Sequence, residues 1–501
     1  MSHIFIQNMK NSKIYILVFT SFCIIIGFIY LKFDFPERTQ KPKTGQELSK
    51  MYCASCHLYP EPNVLPQTIW KNTLLPEMKN RMGLGDQKSI VSKIGYDEYI
   101  NLAEKGVYAI SPILSNEEWL LIENFYIDNS PSKPSAQKTK AENHLQTSSV
   151  ELLKNLDQKQ GLTTYFGVHD HQLMTATVLG QLKVTDLATK KKHNIQLPSP
   201  VVQIKNNSVL CIGGNMNPTQ KKLGSLHEFD ADFKNQQLII DKLHRPVDFE
   251  HVDLNNDSIK DYLIAEFGNY TGQITLVDGK SKERKIIATN PGARNFVLRD
   301  VNNDGQMDFY ALTTQAKERI SLFINDGNAN FKETTILDFP PHHGSSFFLL
   351  ADLNSDGKEE LIMANGDNAD YSIVKKSFHG IRVFENQNKT WNEVYFFPSY
   401  GATNLLEVDL NQDGLPDLVS SSFFVEPEFR KTEQVLYFIN EGNFKFKIAH
   451  PELPEIRPMT MRLGDANQDN IKEIYLGNFE FQANPDPNYN FVEAVIITPE
   501  F

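Results

Sequence analysis

Two different hydrophobic patterns divide most of the chain. From residue 45 to 130 apolar residues recur at helical spacing, as in Trp119, Ile122 and Tyr126. Ser115 precedes the last of these runs in a capping box, which predicts the start of a helix. A stretch rich in Ser, Lys, Pro and Gln follows, and beyond it the pattern changes to short alternating strands. The sequence therefore predicts a helical segment, a linker and a long strand-rich region.

An uncharged apolar run precedes the helical segment. It extends from Ile14 to Leu31, between Lys13 and Lys32, and its length can just span a bilayer as a helix. The run ends in bulky residues, whereas a cleaved signal peptide ends in small ones, so we expect an uncleaved transmembrane anchor. A lipoprotein attached at Cys23 is the alternative, but the residue before that cysteine is a bulky phenylalanine.

The strand-rich region repeats an acidic pattern at intervals of roughly fifty residues. Each copy contains Asp-x-Asn-x-Asp and, four residues later, a further Asp or Glu; the copies begin at Asp253, Asp300, Asp352, Asp409 and Asp465. One strand enters each loop and three follow it, which is the strand number of a propeller blade. Two units without the acidic loop fit between residues 162 and 243, so we expect about seven four-stranded blades. The last strand, 491–498, is expected to close a blade with an early strand.

The acidic loops have the ligand chemistry of a calcium site. Side-chain oxygens at loop positions 1, 3, 5 and 9, with the carbonyl at position 7, can surround one hard cation. Position 12 lacks the glutamate of an EF-hand. Position 6 requires a left-handed backbone, and Ser258 is the poorest residue there, so the first loop should bind most weakly. The predicted side-chain ligands are Asp253, Asn255, Asp257, Asp261, Asp300, Asn302, Asp304, Asp308, Asp352, Asn354, Asp356, Glu360, Asp409, Asn411, Asp413, Asp417, Asp465, Asn467, Asp469 and Glu473.

Composition and charge restrict the function classes. A chain of 501 residues is long for one ordinary domain, and its 40% hydrophobic content is that of a folded protein. The net charge of −12 argues against nucleic acid as a partner, because nucleic acid binds basic surfaces. The acidic loops, with three carboxylates each, account for that negative balance. Four cysteines are too few for a disulfide scaffold.

Two of those cysteines belong to Cys53-x-x-Cys56-His57, the spacing at which a c-type haem is attached. Two thiols three positions apart can reach the two vinyl groups of one haem, and His57 then supplies an axial nitrogen. A zinc site would need a second ligand pair, and Cys211 stands alone. A thioredoxin-like pair would need a βαβ context, which the sequence does not predict. For the sixth iron ligand we prefer Met78, with Met82 as second choice, because thioethers suit this role.

Residues 45–131 resemble the monohaem cytochrome c family, with Gly45 and Leu48 ahead of the cysteine pair and Trp119 and Tyr126 in the closing helix. The resemblance implies that the two cysteines form thioethers and that the adjoining histidine is an axial ligand. It also implies that a proline after the motif orients this histidine. The candidates are Pro60, Pro62 and Pro66.

The acidic repeats resemble the FG-GAP/VCBS β-propeller family, which implies calcium in structural loops of an adhesion-like or scaffold propeller. The expected fold class is therefore multidomain: a small all-α cytochrome c-like domain and an all-β propeller, with an N-terminal transmembrane helix. The expected boundaries are 1–13 for a tail, 14–31 for the anchor, 32–44 for a spacer, 45–130 for the haem domain, 131–149 for a linker and 150–501 for the propeller.

A polar stretch between the strands could form a ligand or partner site on one propeller face, or could simply contain turns satisfied by Asn and Asp. It contains His342, His343, Ser345, Ser346, Asn365, Asp367, Asn368, Asp370, Tyr371, Lys376 and His379.

We expect a haem-binding electron carrier of the cell envelope, with haem c and calcium as cofactors and an envelope redox protein as partner. An electron carrier is favoured over an enzyme. Two alternatives stay open: a quinone-cofactor-dependent sugar or alcohol dehydrogenase with its own cytochrome, and an envelope glycan- or protein-binding module with an accessory haem. Because such haems are attached outside the cytoplasm, the body should lie on the periplasmic side, anchored to the membrane by the N-terminal helix.

Overall fold

Helices come first in the chain and strands follow them. The structure is a computed structural model and describes residues 44–137, 144–154, 161–369, 371–480 and 492–501. The helices of the first part are α1 (Gly45–Cys53), α2 (Gln67–Ile69), α3 (Leu75–Arg81), α4 (Gln87–Ile94), α5 (Tyr96–Glu104) and α6 (Asn116–Asn129), with a 3₁₀ turn at Pro62–Val64 and a π-helical turn at Trp70–Leu74 between α2 and α3. We refer to residues 45–130 as the helical segment.

Side-chain caps explain where the two main helices begin. Thr44 caps α1: its Oγ1 accepts the N–H of Glu47 at 3.2 Å, and its own N–H donates to the Glu47 carboxylate at 3.1 Å. Ser115 and Glu118 form the same reciprocal box at α6, as the sequence predicted. Helices α1 and α6 pack against each other around a shared apolar cluster. That cluster contains Leu48, Leu65, Trp70, Leu75, Met82, Leu114, Trp119, Ile122 and Tyr126.

The strands begin within the predicted linker. Short β1 (His144–Gln146) and longer β2 (Ser148–Lys154) precede the repeated units. The first three units comprise β3 (Gly161–His169), β4 (Gln172–Thr177), β5 (Gln181–Asp186) and β6 (Lys192–Gln196); β7 (Val201–Lys205), β8 (Ser208–Cys211), β9 (Gly224–Phe229) and β10 (Gln236–Leu243); β11 (Pro246–Val252), β12 (Asp261–Glu266), β13 (Gln273–Val277) and β14 (Arg284–Ala288).

The remaining units continue the same antiparallel order. They comprise β15 (Ala293–Arg299), β16 (Asp308–Thr313), β17 (Glu318–Asn325) and β18 (Phe331–Phe339); β19 (Ser345–Ala351), β20 (Glu360–Asn365), β21 (Gly380–Gln387) and β22 (Thr390–Pro398); β23 (Ala402–Val408), β24 (Asp417–Ser422), β25 (Val435–Asn440) and β26 (Phe446–Pro451); β27 (Pro458–Gly464), β28 (Glu473–Glu480) and β29 (Val492–Pro499). A short 3₁₀ turn at Pro427–Phe429 and helix α7 (Arg430–Glu433) interrupt the sixth unit.

The seven units are structurally equivalent, including the first two, which lack the acidic loop. The first strand of every unit has a register shift against the second strand near its beginning, for example between Thr163 and Tyr165 and between Val201 and Gln203. Each first strand also contacts the first strands of the neighbouring units, and the seventh contacts the first. The strands therefore form a closed, propeller-like ring.

The N-terminal strands join the end of the chain. β2 pairs antiparallel with β29, so that Val150 lies opposite Ile497, and supplies the fourth strand of the seventh unit. β1 adds to the sixth unit by parallel pairing with β26. The sequence predicted that the last strand would close a unit with an early strand. This pairing removes a sheet edge and ties the helical segment to the ring.

The predicted fold class is wrong. The structure is mostly β, and its helices do not form a separate all-α cytochrome c-like domain, because their apolar side chains also pack on the propeller-like ring. Val374 packs against the cluster of α1 and α6, and Tyr270 packs against that of α4 and α5. Helical periodicity reports which face of a helix is apolar, but not which element covers it.

The transmembrane part of the predicted fold class is not found either. None of the helices in the described part of the chain is long and apolar enough to cross a bilayer. The apolar run 14–31 lies outside the described residues, as does Cys23.

Candidate functional site

The cysteine pair lies at the end of helix α1. Cys53 is the last residue of this helix and packs against the apolar cluster of the helical segment, whereas Cys56 is exposed in the following turn. Both residues are unpaired thiols. The α1 cap and the buried Leu48 hold the helix, so the motif begins on a rigid element and continues into an accessible turn.

A hydrogen bond to the backbone carbonyl of the next residue orients the His57 ring. Its Nδ1 lies 2.8 Å from the carbonyl oxygen of Leu58, which assigns the ring proton to Nδ1 and presents Nε2 as the ligand atom. Burial lowers the pKa of His57, and the positive charge of Arg81 lowers it further. A neutral imidazole is the form that binds a metal.

The acceptor is Leu58 and not one of the three prolines that the cytochrome c resemblance suggested. The carbonyl of Pro60 accepts a hydrogen bond from the Tyr126 hydroxyl at 2.8 Å. The carbonyl of Pro62 accepts one from the Trp70 ring N–H at 2.9 Å. These carbonyls therefore fasten the chain after the motif to the core of the helical segment.

The local chemistry of Cys53 disfavours a redox-active dithiol. Burial, with a smaller contribution from the neighbouring Cys56, raises the pKa of this thiol to about 11. A thiol of this kind is protonated at neutral pH, whereas cysteines that exchange disulfides have lowered pKa values. Zinc is also disfavoured, because no cluster of three or more ligand residues in the described part of the chain includes these cysteines.

The two candidate methionines differ in their surroundings. Met82 is buried in the apolar cluster, whereas Met78 is only partly buried at its edge. Arg81 lies three residues after Met78 in α3, so both side chains occupy neighbouring positions on one helix face. Met78 and Cys53 pack against the same apolar cluster.

These residues fit a covalently attached haem. Two unpaired thiols, of which Cys56 is exposed, stand in the required spacing, an imidazole presents Nε2, and the Met78 thioether packs against the same apolar cluster as Cys53. Sequence reasoning missed Arg81, since a single arginine in a helix has no pattern that distinguishes it.

The five acidic loops share one hydrogen-bonding arrangement and connect the first strand of a unit to the second. In every loop the carboxylate at position 1 accepts the N–H of position 6. In every loop the carboxylate at position 9 is buried and accepts the N–H of position 2. The carboxylates at positions 1 and 9 are therefore fixed by the backbone of the loop itself in all five loops.

Backbone conformations in these loops agree with the ligand pattern. Position 6 has a positive φ in all five, including 68° at Ser258 and 68° at Asn470. Position 4 is also left-handed in all five loops, from 57° at Asn303 to 61° at Asn256. The sequence did not predict this second position, because none of the five residues there is glycine.

The first loop departs from the others. Asn255 donates its amide N–H to Asp278, 2.9 Å away and outside the loop. In the second loop the corresponding Asn302 donates to Asp304, within the loop, at 2.8 Å. The side-chain oxygen of Asn255 still accepts the N–H of Asp257 at 3.0 Å, and the weaker cation binding of the first loop stays a prediction.

Electrostatics in the loops favour a cation. Burial, together with the charges of Asp356 and Asp352, raises the pKa of Glu360 to about 7. In the fifth loop Asp465, Asp469 and Glu473 each place a carboxylate oxygen within 4.8 Å of the others. Convergent carboxylates of this kind are the ligand set of calcium.

The structure brings most of the polar stretch together at the fifth unit. Asn365 donates to the carbonyls of His343 at 3.1 Å and Phe378 at 2.9 Å, and accepts from Arg382 at 3.1 Å. The buried Lys376 donates to Asn368 at 2.9 Å. Asp370 lies outside the described residues. Sequence reasoning missed Arg382, which stands within an ordinary strand pattern.

Comparisons with known proteins support the repeat and the fold. Residues 300–363 match the profile described as an FG-GAP-like repeat. No curated protein matches the chain. The chain therefore contains an FG-GAP-like repeat within a strand-rich, propeller-like fold.

Solved structures with a similar chain path have low sequence identity. The N-terminal domain of Nup159 is 11% identical with a TM-score of 0.43, and the alignment covers 73% of this chain and 99% of that chain. A structure of S. cerevisiae Dbp5 bound to Nup159, Gle1, IP6 and ADP is 11% identical with a TM-score of 0.41. That alignment covers 73% of this chain and 98% of the other chain. A structure of BBS1N in complex with ARL6DN is 9% identical with a TM-score of 0.42. Here the alignment covers 72% of this chain and 97% of the other chain. Likeness at these TM-scores carries no inference about function.

Proposed function

We propose that this chain is an electron-transfer protein that carries one covalent c-type haem on its helical segment. The observation that supports it best is the combination of two unpaired thiols at Cys53 and Cys56 with His57, whose Nδ1 is bonded to Leu58. This combination meets the spacing, the free thiols and the orienting hydrogen bond that such a group requires.

Each side chain has a separate role in this proposal. A bound haem would supply one-electron chemistry, and the histidine and methionine ligands favour a raised potential. Cys53 fixes one side of the group against the apolar cluster, and the exposed Cys56 leaves the other side accessible to a redox partner. His57 supplies Nε2, and Met78 in α3 supplies the thioether.

The propeller-like ring is proposed as a calcium-stabilised scaffold for docking or binding. The buried, mutually repelling carboxylates of the acidic loops support this role. Because thioether attachment takes place outside the cytoplasm, the body belongs on the periplasmic side. Attachment to the membrane through residues 14–31 and an envelope redox protein as partner complete the proposal, and fractionation of cells tests the membrane part.

The haem proposal is tested by expression in cells that mature c-type haem. The purified protein should be coloured, show a mass increase of one haem and give a c-type pyridine haemochrome spectrum. The variant with both Cys53→Ala and Cys56→Ala should lose the covalent group, whereas Cys211→Ala should retain it, because Cys211 is buried in β8 away from the motif. A colourless wild-type protein without added mass would contradict the proposal.

A quinone-cofactor-dependent dehydrogenase is the second candidate, and the polar stretch of the fifth unit favours it. His379 is 2% exposed and its Nε2 has no hydrogen-bond partner in the described part of the chain. Unpaired buried polar atoms occur at sites that bind ligands. Haem reduction that depends on both an added quinone cofactor and a sugar or alcohol would support the dehydrogenase, and reduction by donor proteins alone would support the electron carrier.

A further inference from the structure

Arg81 at the end of α3 contacts two tyrosines from different parts of the chain. Its guanidinium carbon is 5.6 Å from the ring centre of Tyr108, in the helical segment. The same carbon is 5.3 Å from the ring centre of Tyr270, in the connection between β12 and β13 of the propeller-like ring. Both are cation–π distances to one guanidinium.

The two aromatic rings also touch each other. Their centres are 6.2 Å apart with an interplanar angle of 66°, an edge-to-face contact. Glu77 pairs with Arg81 at 3.2 Å one helical turn earlier, so the guanidinium has both a carboxylate and two aromatic faces. Burial raises the pKa of Tyr108, and the Glu77 charge raises it further. The contact is therefore a specific, partly desolvated one.

Helix α3 meets the ring at two places. Its Met78 packs against the apolar cluster on which Val374 of the ring also packs, and Arg81 at its end contacts Tyr270. Helix α3 follows a π-helical turn, and Gly83 beyond its end has a φ of 76°. Because Cys53 packs against the same cluster as Met78, α3 lies close to the haem motif.

We propose that Tyr270 is a positioning residue of the ring, which holds Arg81 and thereby the helix that presents Met78 to the haem iron. The inference rests on the proposed haem function and adds to it a dependence of the sixth ligand on the propeller-like ring. A shift of α3 by a fraction of a turn would move the Met78 thioether. Cys53, Cys56 and His57 belong to α1 and the turn after it, so the covalent attachment and the imidazole would not move with α3.

Tyr270→Leu tests the proposal without changing any charge. The mature variant should keep its covalent haem, lose most of the near-infrared methionine–iron band and have a lower midpoint potential, because a methionine ligand raises the potential. Tyr270→Phe keeps the ring face and should behave like the wild type. Tyr395→Leu controls for general loosening of the propeller-like ring. Tyr395 is a tyrosine of that ring, and its aromatic centre is 4.8 Å from that of Phe446.

The outcomes separate this inference from the haem proposal. A haem-bearing wild type with a methionine band, and a Tyr270→Leu variant with unchanged band and potential, overturns the positioning role alone. A wild type that carries haem but lacks the methionine–iron band would also overturn the positioning role of Tyr270, and the haem proposal would stand. A haem-free wild type overturns both. An equal loss in Tyr395→Leu also counts against it, because a general loosening would then explain the effect.

Discussion

His343 of the fifth unit is buried as a neutral side chain. Burial lowers the pKa of His343 well below 6.5, and the positive charge of Arg382 and the neighbouring His342 lower it further. His343 stacks on Phe339 with ring centres 4.4 Å apart and places Nδ1 3.0 Å from the Ser345 hydroxyl. The ring can therefore take up a proton in the unfolded chain but not in the folded one.

This asymmetry predicts a loss of stability in acid. Below about pH 6.5 the unfolded state binds a proton that folded His343 excludes, so the free energy of unfolding falls as the pH falls. At about pH 5 the loss from one such group is at most about 2 kcal/mol. In His343→Gln the difference in unfolding free energy between about pH 7.5 and pH 5 should shrink by about 1–2 kcal/mol, as measured by denaturant titration.

The exposed His144 offers a matched control. His144→Gln should leave the pH dependence as it is in the wild type. An unchanged acid response in His343→Gln would show that His343 is not the source of the effect.

At the scale of elements, the close packing of α1 against α6 requires a glycine at position 45. A Cβ at Gly45 would overlap the carbonyl oxygen of Leu121 and would lie 2.7 Å from the Cβ of Phe125. The two helices can approach closely because residue 45 is glycine. Since Cys53 is at the other end of α1, this crossing also sets where the cysteine pair stands.

Gly45→Val should therefore loosen the helical segment. Forcing side-chain volume into a packed contact costs about 1–3 kcal/mol. We expect faster proteolysis within residues 45–130 and a lower haem content per polypeptide in the variant. Gln46→Ala, at the adjacent exposed position, should match the wild type in both measurements. Equal protease resistance and haem content in Gly45→Val would contradict the role of this contact.

Local elements could be predicted from sequence, but their packing could not. The helix start at Ser115 follows from side chains only three residues apart, and the left-handed backbone at Gly305 follows from its residue type. The contact of Arg81 with Tyr270 joins residues far apart in sequence, and no pattern in either region refers to the other. For the same reason the helical segment was wrongly predicted to be a separate domain.

On the scale of the whole molecule, the two proposed cofactors belong to opposite faces of the ring. The acidic loops connect first to second strands, and Tyr270 and Val374 lie in connections from second to third strands. In an antiparallel unit these two kinds of connection are at opposite ends of the strands. The helical segment therefore packs on the face without the acidic loops, and the proposed cation sites lie away from the proposed haem site.

Removal of calcium should consequently destabilise the ring and leave the haem spectrum unchanged at temperatures below unfolding. Each occupied site stabilises the folded state by about 2.7 kcal/mol when free calcium is 100 times Kd. Chelation should lower the Tm measured by calorimetry, calcium should restore it, and magnesium should restore it less, because magnesium demands a tighter octahedron and keeps more of its waters. Asp465→Asn should reduce the response to chelation, and Asp170→Asn, at an exposed aspartate outside the loops, should not. A Tm that is indifferent to chelator, or a haem spectrum that changes with calcium in the folded protein, would contradict this separation of the two faces.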